Sequence, residues 1–517
     1  MTNIGPIELE IFKNLFASLC EEMGVLLGRT AFSPNIKERK DFSCALFDPQ
    51  ARLVAQAAHI PVHLGSMPLS VKAAIAAFPR MKPGDAVILN DPYRGGTHLP
   101  DITVVNPVFV PGVKIPVFYV ANRAHHADVG GRSPGSMALA SHLEEEGVVI
   151  PPTLLQKKGR WNFIFLNAFL KEVRRPDERE ADLNAQVSAN RLGERRLRDL
   201  ASQYGLTKIL KAMAAYRLYE EKITRQALNR VKAGDYFFED FLDDDGLGSG
   251  PISIRVKIKI RRSGITIDFR DSSPQVKGPL NATRSITLSS VAYVFRCLVN
   301  ALTGEDCLSL KPFTLLTRKG TVGDARYPAP VAAGNVETSQ RLVDVLLGAL
   351  SQALPDVIPA ASQGTMNNVA FGSEKFTYYE TLAGGSGATP QANGANAIHT
   401  HMTNTLNTPI EALETSLPLR VHEYRIRRNS GGVGKHAGGA GLVRELEFLT
   451  ETQVSLLTDR RILNPWGLRG GKPGKTGANW QVTSEGKQKL PGKCELTLKK
   501  GERLRIETPG GGGWGRK

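Results

Sequence analysis

Cysteine is scarce and scattered: five residues in 517, at Cys20, Cys44, Cys297, Cys307 and Cys494, with no CxxC pair. An odd, sparse set argues against a disulfide framework and against a cysteine-ligated zinc site. Aromatic residues make up only 7% of the chain. No stretch reaches the roughly 18 consecutive apolar residues that a membrane-spanning helix needs. The opening MTNIGPIELEIFK lacks the basic start and apolar run of a secretory signal. These absences predict a cytoplasmic protein with no membrane partner. Catalytic and nucleotide signatures are missing too. RGGKPGKTGANW approaches the phosphate-cradling pattern GxxxxGK[ST], but Arg469 stands where its first Gly is required and Gly470 comes one residue late. No GxGxxG follows a clear strand, and there is no GxSxG elbow and no Cys-His nucleophile pair. The chain is therefore not expected to bind nucleotide alone.

What is present fits a globular enzyme. Hydrophobic residues make up 41% and charged residues 22%, with 51 glycines. The length exceeds one compact core, so two to four structural units are expected. The net charge of +16 raises the question of nucleic acid. The basic residues are interleaved with acids, as in KEVRRPDEREADLNAQ, and no basic tail or aromatic RNA-binding motif accompanies them. No nucleic-acid partner is expected.

Hydrophobic spacing organises the chain. Phe12, Phe16, Leu19, Met23 and Leu26 share one face of an opening helix, which Ser33-Pro34-Asn35 ends. FSCALFD, RLVAQ, AVILN, ITVVNPVFV and VFYVAN read as strands. From about Arg175 to Val231 the sequence turns charged and helix-favouring, with Gly205 separating two long helices. ISIRVKIKI and GITIDF form a hairpin, and RLVDVLLGALSQAL is an amphipathic helix. The last stretch is rich in glycine and short strands and ends in TPGGGGWGRK, which reads as a mobile tail. The expected fold is mixed α and β (α+β), β-rich with a long helical segment in mid-chain. It divides into an N-terminal α/β unit (1–174), a helical segment (175–232), a central α/β unit (233–429) and a C-terminal β-rich unit (430–517).

The densest chemical signal is NDPYRGGTHLPDITVV followed by FYVANRAHHADVGG. His98 and Asp101 flank Leu-Pro where a strand should begin, and His125, His126 and Asp128 follow one hairpin later. Imidazole plus carboxylate without thiolate suits Mn, Zn or Fe. Asp41 is a further ligand if its segment folds alongside. Turn-capping is the competing explanation for each residue singly. In AIHTHMTNTLNTPIEALE, His399 and His401 share a face if the segment is extended, pointing to a substrate pocket; the alternative is a polar strand followed by a helix capped by Thr408. Glu337 and Gln340 stand at a helix start, where free N–H groups can bind an anion or a carbonyl oxygen. Ser362, Gln363, Asn367 and Asn368 supply amide-rich groups suited to hydrogen-bonding a ligand, with turn formation as the competing explanation.

These blocks, with RTAFSPNIKERKDFSCALFD, HIPVHLGSMP, GNVETSQRLVDVLLGALSQALP, HTHMTNTLNTPIEALE and NPWGLRGGKPG, resemble the hydantoinase B/oxoprolinase family over nearly the whole chain. The resemblance implies a hydantoinase B-type subunit of an ATP-dependent cyclic amidase. Its partner would be a hydantoinase A-type subunit that binds ATP and Mg, in a hetero-oligomer, and its substrate a small cyclic amide such as a hydantoin or 5-oxoproline. It also implies a divalent metal, Mn or Zn, held by Asp41, His98, Asp101 and one histidine of AHHAD, His125 being favoured over His126. Asp128 is expected as a base or supporting group, and His399, His401, Gln363 and Asn367 as substrate contacts. ATP is needed because an unstrained cyclic amide is resonance-stabilised, and activating its carbonyl makes the carbon open to attack by water. The alternatives are an acetone carboxylase-like large subunit and a non-catalytic scaffold for the ATPase.

Overall fold

The computed structural model describes residues 4–57, 60–63 and 65–517. Met1 to Asn3 of the opening segment, and His59 and Leu64 of HIPVHLGSMP, lie outside the described residues. The fold is mixed α and β, with four sheets.

The first sheet holds β1 (Phe42–Phe47), β2 (Leu53–Gln56), β3 (Ala86–Leu89), β4 (Asp101–Val108), β5 (Phe118–His125), β6 (Thr153–Lys157) and β7 (Arg160–Trp161) in the order β2-β1-β5-β4-β3-β6-β7. Its strands read as continuous apolar runs because both faces are covered. Successive side chains alternate between the faces, so Ala45 and Phe47 pack under the helix Met67–Ala77. Cys44 and Leu46 pack against the helix Pro6–Thr30 and the helices that follow residue 175. In the opening helix the buried stripe is Phe12, Phe16, Leu19, Met23 and Leu27. The buried position one turn after Met23 is thus Leu27, four residues on, rather than the expected Leu26.

The mid-chain helices are Pro176–Tyr204 and Leu206–Leu228, with Gly205 at their junction. They do not stand apart as a separate segment. Gln186 and Asn190 donate from the first helix to the carbonyls of Ile102 and Val104 on β4, at 2.9 and 3.0 Å. Ala185, Leu197 and Ile209 complete the core beneath β1 and β5. The expected division at 174/175 therefore cuts through one packed layer.

The second sheet contains β8 (Gly234–Leu242), β9 (Ile252–Arg261), β10 (Gly264–Asp268) and β11 (Phe313–Leu316), with the anticipated hairpin between β9 and β10. It packs on the helices Arg284–Thr303 and Ser339–Ala353. Arg284–Thr303 is, among the described residues, the one helix long and apolar enough to cross a membrane, yet 56% of its apolar window is buried inside the fold.

Nine further strands form two sheets that face each other: β12 (Asn368–Ser373), β13 (Phe376–Glu380), β14 (Leu419–Arg427), β15 (Gly441–Phe448), β16 (Thr452–Leu457), β17 (Ala478–Thr483), β18 (Gly486–Leu490), β19 (Lys493–Leu498) and β20 (Arg503–Glu507). The orders are β13-β12-β16-β19 and β14-β15-β20-β17-β18. Phe371, Val454 and Leu498 from one sheet interlock with Leu442, Leu446 and Ile506 from the other. Each sheet takes strands from both sides of 429/430, so that expected boundary is not a structural one.

The glycine-rich end is not a mobile tail. Residues 508–513 are buried, threaded between the glycine-rich loops around 385, 432 and 471. A Cβ on Gly511 would lie 1.9 Å from the carbonyl oxygen of Ser386, and one on Gly439 would lie 1.9 Å from that of Ala395. Glycine is there because backbones touch, which composition alone reads as flexibility.

Candidate metal centre

Strand register brings the cluster together. β4 and β5 pair so that Asp101 lies opposite His125. β1 pairs with β5 so that Phe42 lies opposite Ala124, and the His125 amide donates to the Asp41 carbonyl at 3.0 Å. The start of β4, the end of β5 and the residue before β1 thus share one rim of the first sheet. His98 enters from the loop before β4. Asn90 fixes that loop, donating to the carbonyls of Leu99 (2.8 Å) and Val148 (2.9 Å) and accepting from the Ile150 amide (2.6 Å). Gly96 allows the loop to fold tightly: a Cβ there would lie 2.5 Å from the Asn90 carbonyl oxygen.

The result is a buried triad. One ligand atom from each of His98, Asp101 and His125 lies within 4.8 Å of the others, and this is the grouping of that kind among the described residues. His98 Nε2 is 3.3 Å from Asp101 Oδ1, and the two imidazole rings meet edge to face at 5.0 Å. The Nε2 atoms of both histidines are buried without a hydrogen bond, that of His98 lying only against the Asp101 carboxylate, a state that costs free energy unless a ligand uses them. The opposite ring nitrogens are anchored. His98 Nδ1 donates to the Ala332 carbonyl at 3.4 Å, and His125 Nδ1 lies 3.0 Å from the side-chain amide of Asn35. Asn35 Oδ1 has no partner of its own. Asn35 Nδ2 is the atom placed against Nδ1; turning the amide over gives Oδ1 a partner, keeps the His125 proton on Nδ1 and presents Nε2 as a lone pair.

Electrostatics fit a cation. Burial alone would raise the Asp101 carboxyl, but the imidazoles of His98 and His63 outweigh it and hold Asp101 well below the usual carboxylate range. Burial, with His98 alongside, pushes His125 well below the usual imidazole range, so its ring is neutral and can ligate. Asp41 borders the triad rather than completing it. Its carboxyl is 3.8 Å from Arg39, and burial, only partly offset by that guanidinium, raises it to about 7.

Other expected residues separate clearly. His126 turns the other way, its Nε2 2.9 Å from Gln186 Oε1, which leaves His125 as the histidine of the cluster. Asp128 is not part of it. Its oxygens accept from the amides of Gly130, Gly135 and Arg174 and from the Arg174 guanidinium. A carboxylate so occupied shapes its loop and is not free to serve as a base. Asn367 is likewise saturated, donating to Gln363 Oε1 and the Leu382 carbonyl and accepting from Arg461. Gln363 is buried with Nε2 unpartnered. Ser362 accepts from the Gly387 amide, and Asn368 donates to Glu337 Oε1 at 2.7 Å.

His399 and His401 lie on a half-buried segment, yet His399 Nδ1 and His401 Nε2 are buried and unpartnered. His399 Nε2 is 3.4 Å from Asn407 Oδ1, and His401 Nδ1 is 3.4 Å from the Tyr293 hydroxyl. Thr408 is not a helix cap, since its hydroxyl accepts from Tyr378 while Pro409 occupies the cap position of Ile410–Ser416. Glu337 does not sit at a free helix end either. A π-helical turn, Gly334–Thr338, runs straight into Ser339–Ala353 and uses the N–H groups an anion would need. π-Turns inside helices recur at functional sites, and this one aims Asn335 Nδ2 at Asp101 Oδ2, 3.4 Å away.

Besides Asn35 and Asn335, the site has three further contributors that the sequence does not single out. His63 Nε2 lies 3.3 Å from Asp101 Oδ2, its Nδ1 held by Ser43 at 2.8 Å. Thr97 donates to Asp101 Oδ2 at 2.6 Å. Tyr379 stacks on His125 and carries Arg39 over its ring, 5.0 Å from the centroid. His63 stands in HIPVHLGSMP and Thr97 beside His98, so both had a visible signal; Tyr379 had none.

Comparison with known proteins follows this geometry. The sequence profile described as Hydantoinase B/oxoprolinase matches residues 5–517. The chain is similar to an uncharacterised protein of Methanocaldococcus jannaschii, at 38% identity over 99% of this chain and 91% of the other. It is similar to 5-oxoprolinase 1 of Arabidopsis thaliana at 40% identity over 98% of this chain, but spans only 42% of that protein. Among solved structures it resembles the ATP-dependent caprolactamase of Pseudomonas jessenii, with a TM-score of 0.90 and 26% identity, covering 100% of this chain and 92% of that one.

Proposed function

The chain belongs to the hydantoinase B/oxoprolinase family, and from that premise we propose that it is the ring-opening component of an ATP-dependent cyclic amidase. Its substrate in this reading is a hydantoin or a lactam of the 5-oxoproline type. In this reading ATP and Mg are bound by a hydantoinase A-type partner in a hetero-oligomer, which the missing phosphate-binding motif supports. The chain spans about two fifths of the plant 5-oxoprolinase it matches. The similarity to a caprolactamase described as ATP-dependent supports the same chemistry.

The observation that carries the reading is the convergence of His98, Asp101 and His125 with two buried imidazole nitrogens that make no hydrogen bond. Those residues fit a divalent ion, Mn or Zn: two imidazole nitrogens, one carboxylate held ionised, no thiolate, and opposite ring nitrogens that have neighbours of their own. Such an ion supplies Lewis acidity and lowers the pKa of a water. The chain's own groups do the rest. Thr97, His63 and Asn335 fix Asp101 Oδ2, so that Oδ1 faces His98. In this reading Asp41, expected as a ligand, borders the ion, and its carboxyl, raised to about 7 by burial, is able to exchange a proton with water there. Tyr379 and Arg39 close the side of the cluster and exclude bulk solvent.

The test is reconstitution with an A-type ATPase subunit. Hydantoin or 5-oxoproline should open with ADP and phosphate formed in step, and isolated chain should not turn over ATP. Equal ring-opening rates with and without ATP contradict the proposal. Incorporation of labelled bicarbonate into a ketone favours the carboxylase alternative.

A further inference from the structure

A second set of unused hydrogen-bonding atoms is linked to the cluster through Arg39 and the π-turn. His399 Nδ1 and Gln340 Oε1 are both buried without a protein partner. Each belongs to a group whose orientation is fixed. Asn407 donates through Nδ2 to the Thr381 carbonyl at 2.8 Å and to Glu380 Oε2 at 3.1 Å. A backbone carbonyl only accepts, so Asn407 must turn Oδ1 the other way, toward His399 Nε2 at 3.4 Å. His399 therefore carries its proton on Nε2 and shows Nδ1 as an acceptor. Burial, with Arg39 nearby, keeps the ring neutral.

Gln340 obeys the same logic. Its Nε2 donates to the Thr400 carbonyl at 2.9 Å, which leaves Oε1 as a fixed acceptor. Thr400 adjoins His399, so the two acceptors flank one short segment. Both connect to the candidate metal cluster. Thr381 accepts from Arg39 through Oγ1 at 3.0 Å, and Arg39 lies 3.8 Å from Asp41. Gln340 is the second residue of the helix that continues the π-turn whose Asn335 reaches Asp101.

We propose that His399 Nδ1 and Gln340 Oε1 are acceptors for ring N–H donors of the substrate, so that the enzyme selects cyclic amides and ureides with an unsubstituted nitrogen. Asn407 is a positioning residue that sets the His399 tautomer. The inference rests on the amidase reading and narrows it: an N-alkylated ring lacks the donor and leaves a buried acceptor unpaired. Sites built to hydrogen-bond a substrate N–H reject analogues that lack it far more strongly than they reject a change in apolar bulk.

The experiment measures dissociation constants of the full-length chain for two matched pairs, by calorimetry or saturation-transfer NMR. The pairs are 2-pyrrolidinone with N-methyl-2-pyrrolidinone, and hydantoin with 1,3-dimethylhydantoin. The N–H member of each pair should bind at least about tenfold more tightly. Gln340→Met and His399→Leu should bring the ratio toward one, and Asn407→Leu should reduce it by freeing the tautomer. The wild-type comparison needs no variant to fold. Binding of both members with equal affinity overturns the acceptor pair and leaves the amidase reading standing. Failure of every lactam and hydantoin to bind overturns the amidase reading and the acceptor pair with it.

Discussion

The phenol ring of Tyr379 lies parallel to the imidazole of His125, with centroids 4.6 Å and planes 7° apart. The contact joins β13 of the third sheet to β5 of the first, so the cluster's histidine is oriented by a residue 254 positions later in the chain (379 − 125). Its hydroxyl donates to Asn368 Oδ1 at 2.8 Å, which fixes the ring plane.

Separating these two roles gives the first prediction. Tyr379→Phe keeps the stack and should hold metal affinity within a few-fold, while costing about 1 kcal/mol of stability through the unpaired Asn368 oxygen. Tyr379→Leu removes the stack, and metal affinity should fall about 10–100-fold, as for other losses of groups that orient a ligand. Zn or Mn titration of both variants checks this; equal affinities would count against an orienting role.

Glu146 predicts a pH dependence. Its buried carboxyl accepts from the Ala332 amide at 2.8 Å, and Ala332 in turn holds His98. Burial raises this carboxyl from 4.5 to about 8. The folded state therefore binds a proton that the unfolded state releases, and stability falls as pH rises between about 4.5 and 8. Glu146→Gln keeps an acceptor for Ala332 and removes the titration. Its stability relative to wild type should improve by a few kcal/mol on going from pH 5 to pH 9. Denaturant melts at the two pH values measure the difference, and a constant offset contradicts the assignment.

The buried glycine segment predicts an unequal response to alanine. Gly511→Ala places a Cβ against the Ser386 backbone, which cannot yield as a flexible side chain would, so a loss of about 3 kcal/mol or more is expected. Gly250→Ala meets no atom within 4 Å and should be close to neutral. Thermal melts of the two variants suffice; similar midpoints would show that the segment is loosely packed.

Much of this was legible in the sequence because the signals were local. The strands around THLPD and AHHAD, the paired long helices at Gly205 and the β9–β10 hairpin each declare themselves within a short window of period or turn chemistry. With β4 and β5 adjacent, Asp101 and His125 had to come near each other. What escaped depended on distant contacts. The stack of Tyr379 on His125 requires the third sheet to close over the first. The divisions at 174/175 and 429/430 followed composition, whereas helices and strands from both sides share layers. TPGGGGWGRK read as mobile because composition cannot say whether glycines face solvent or other backbones. Asp128 had the right chemistry in the right stretch, and only its four hydrogen bonds show that it is already occupied.

The central claim is that His98, Asp101 and His125 hold a divalent ion, and elemental analysis of the purified full-length chain tests it most directly. Wild type should contain about one Mn or Zn per chain. His98→Ala and His125→Ala, folded as judged by circular dichroism, should each lose well over tenfold in metal affinity, and Asp101→Asn should bind weakly with its fold intact. Full metal content in a folded His98→Ala protein would contradict the assignment.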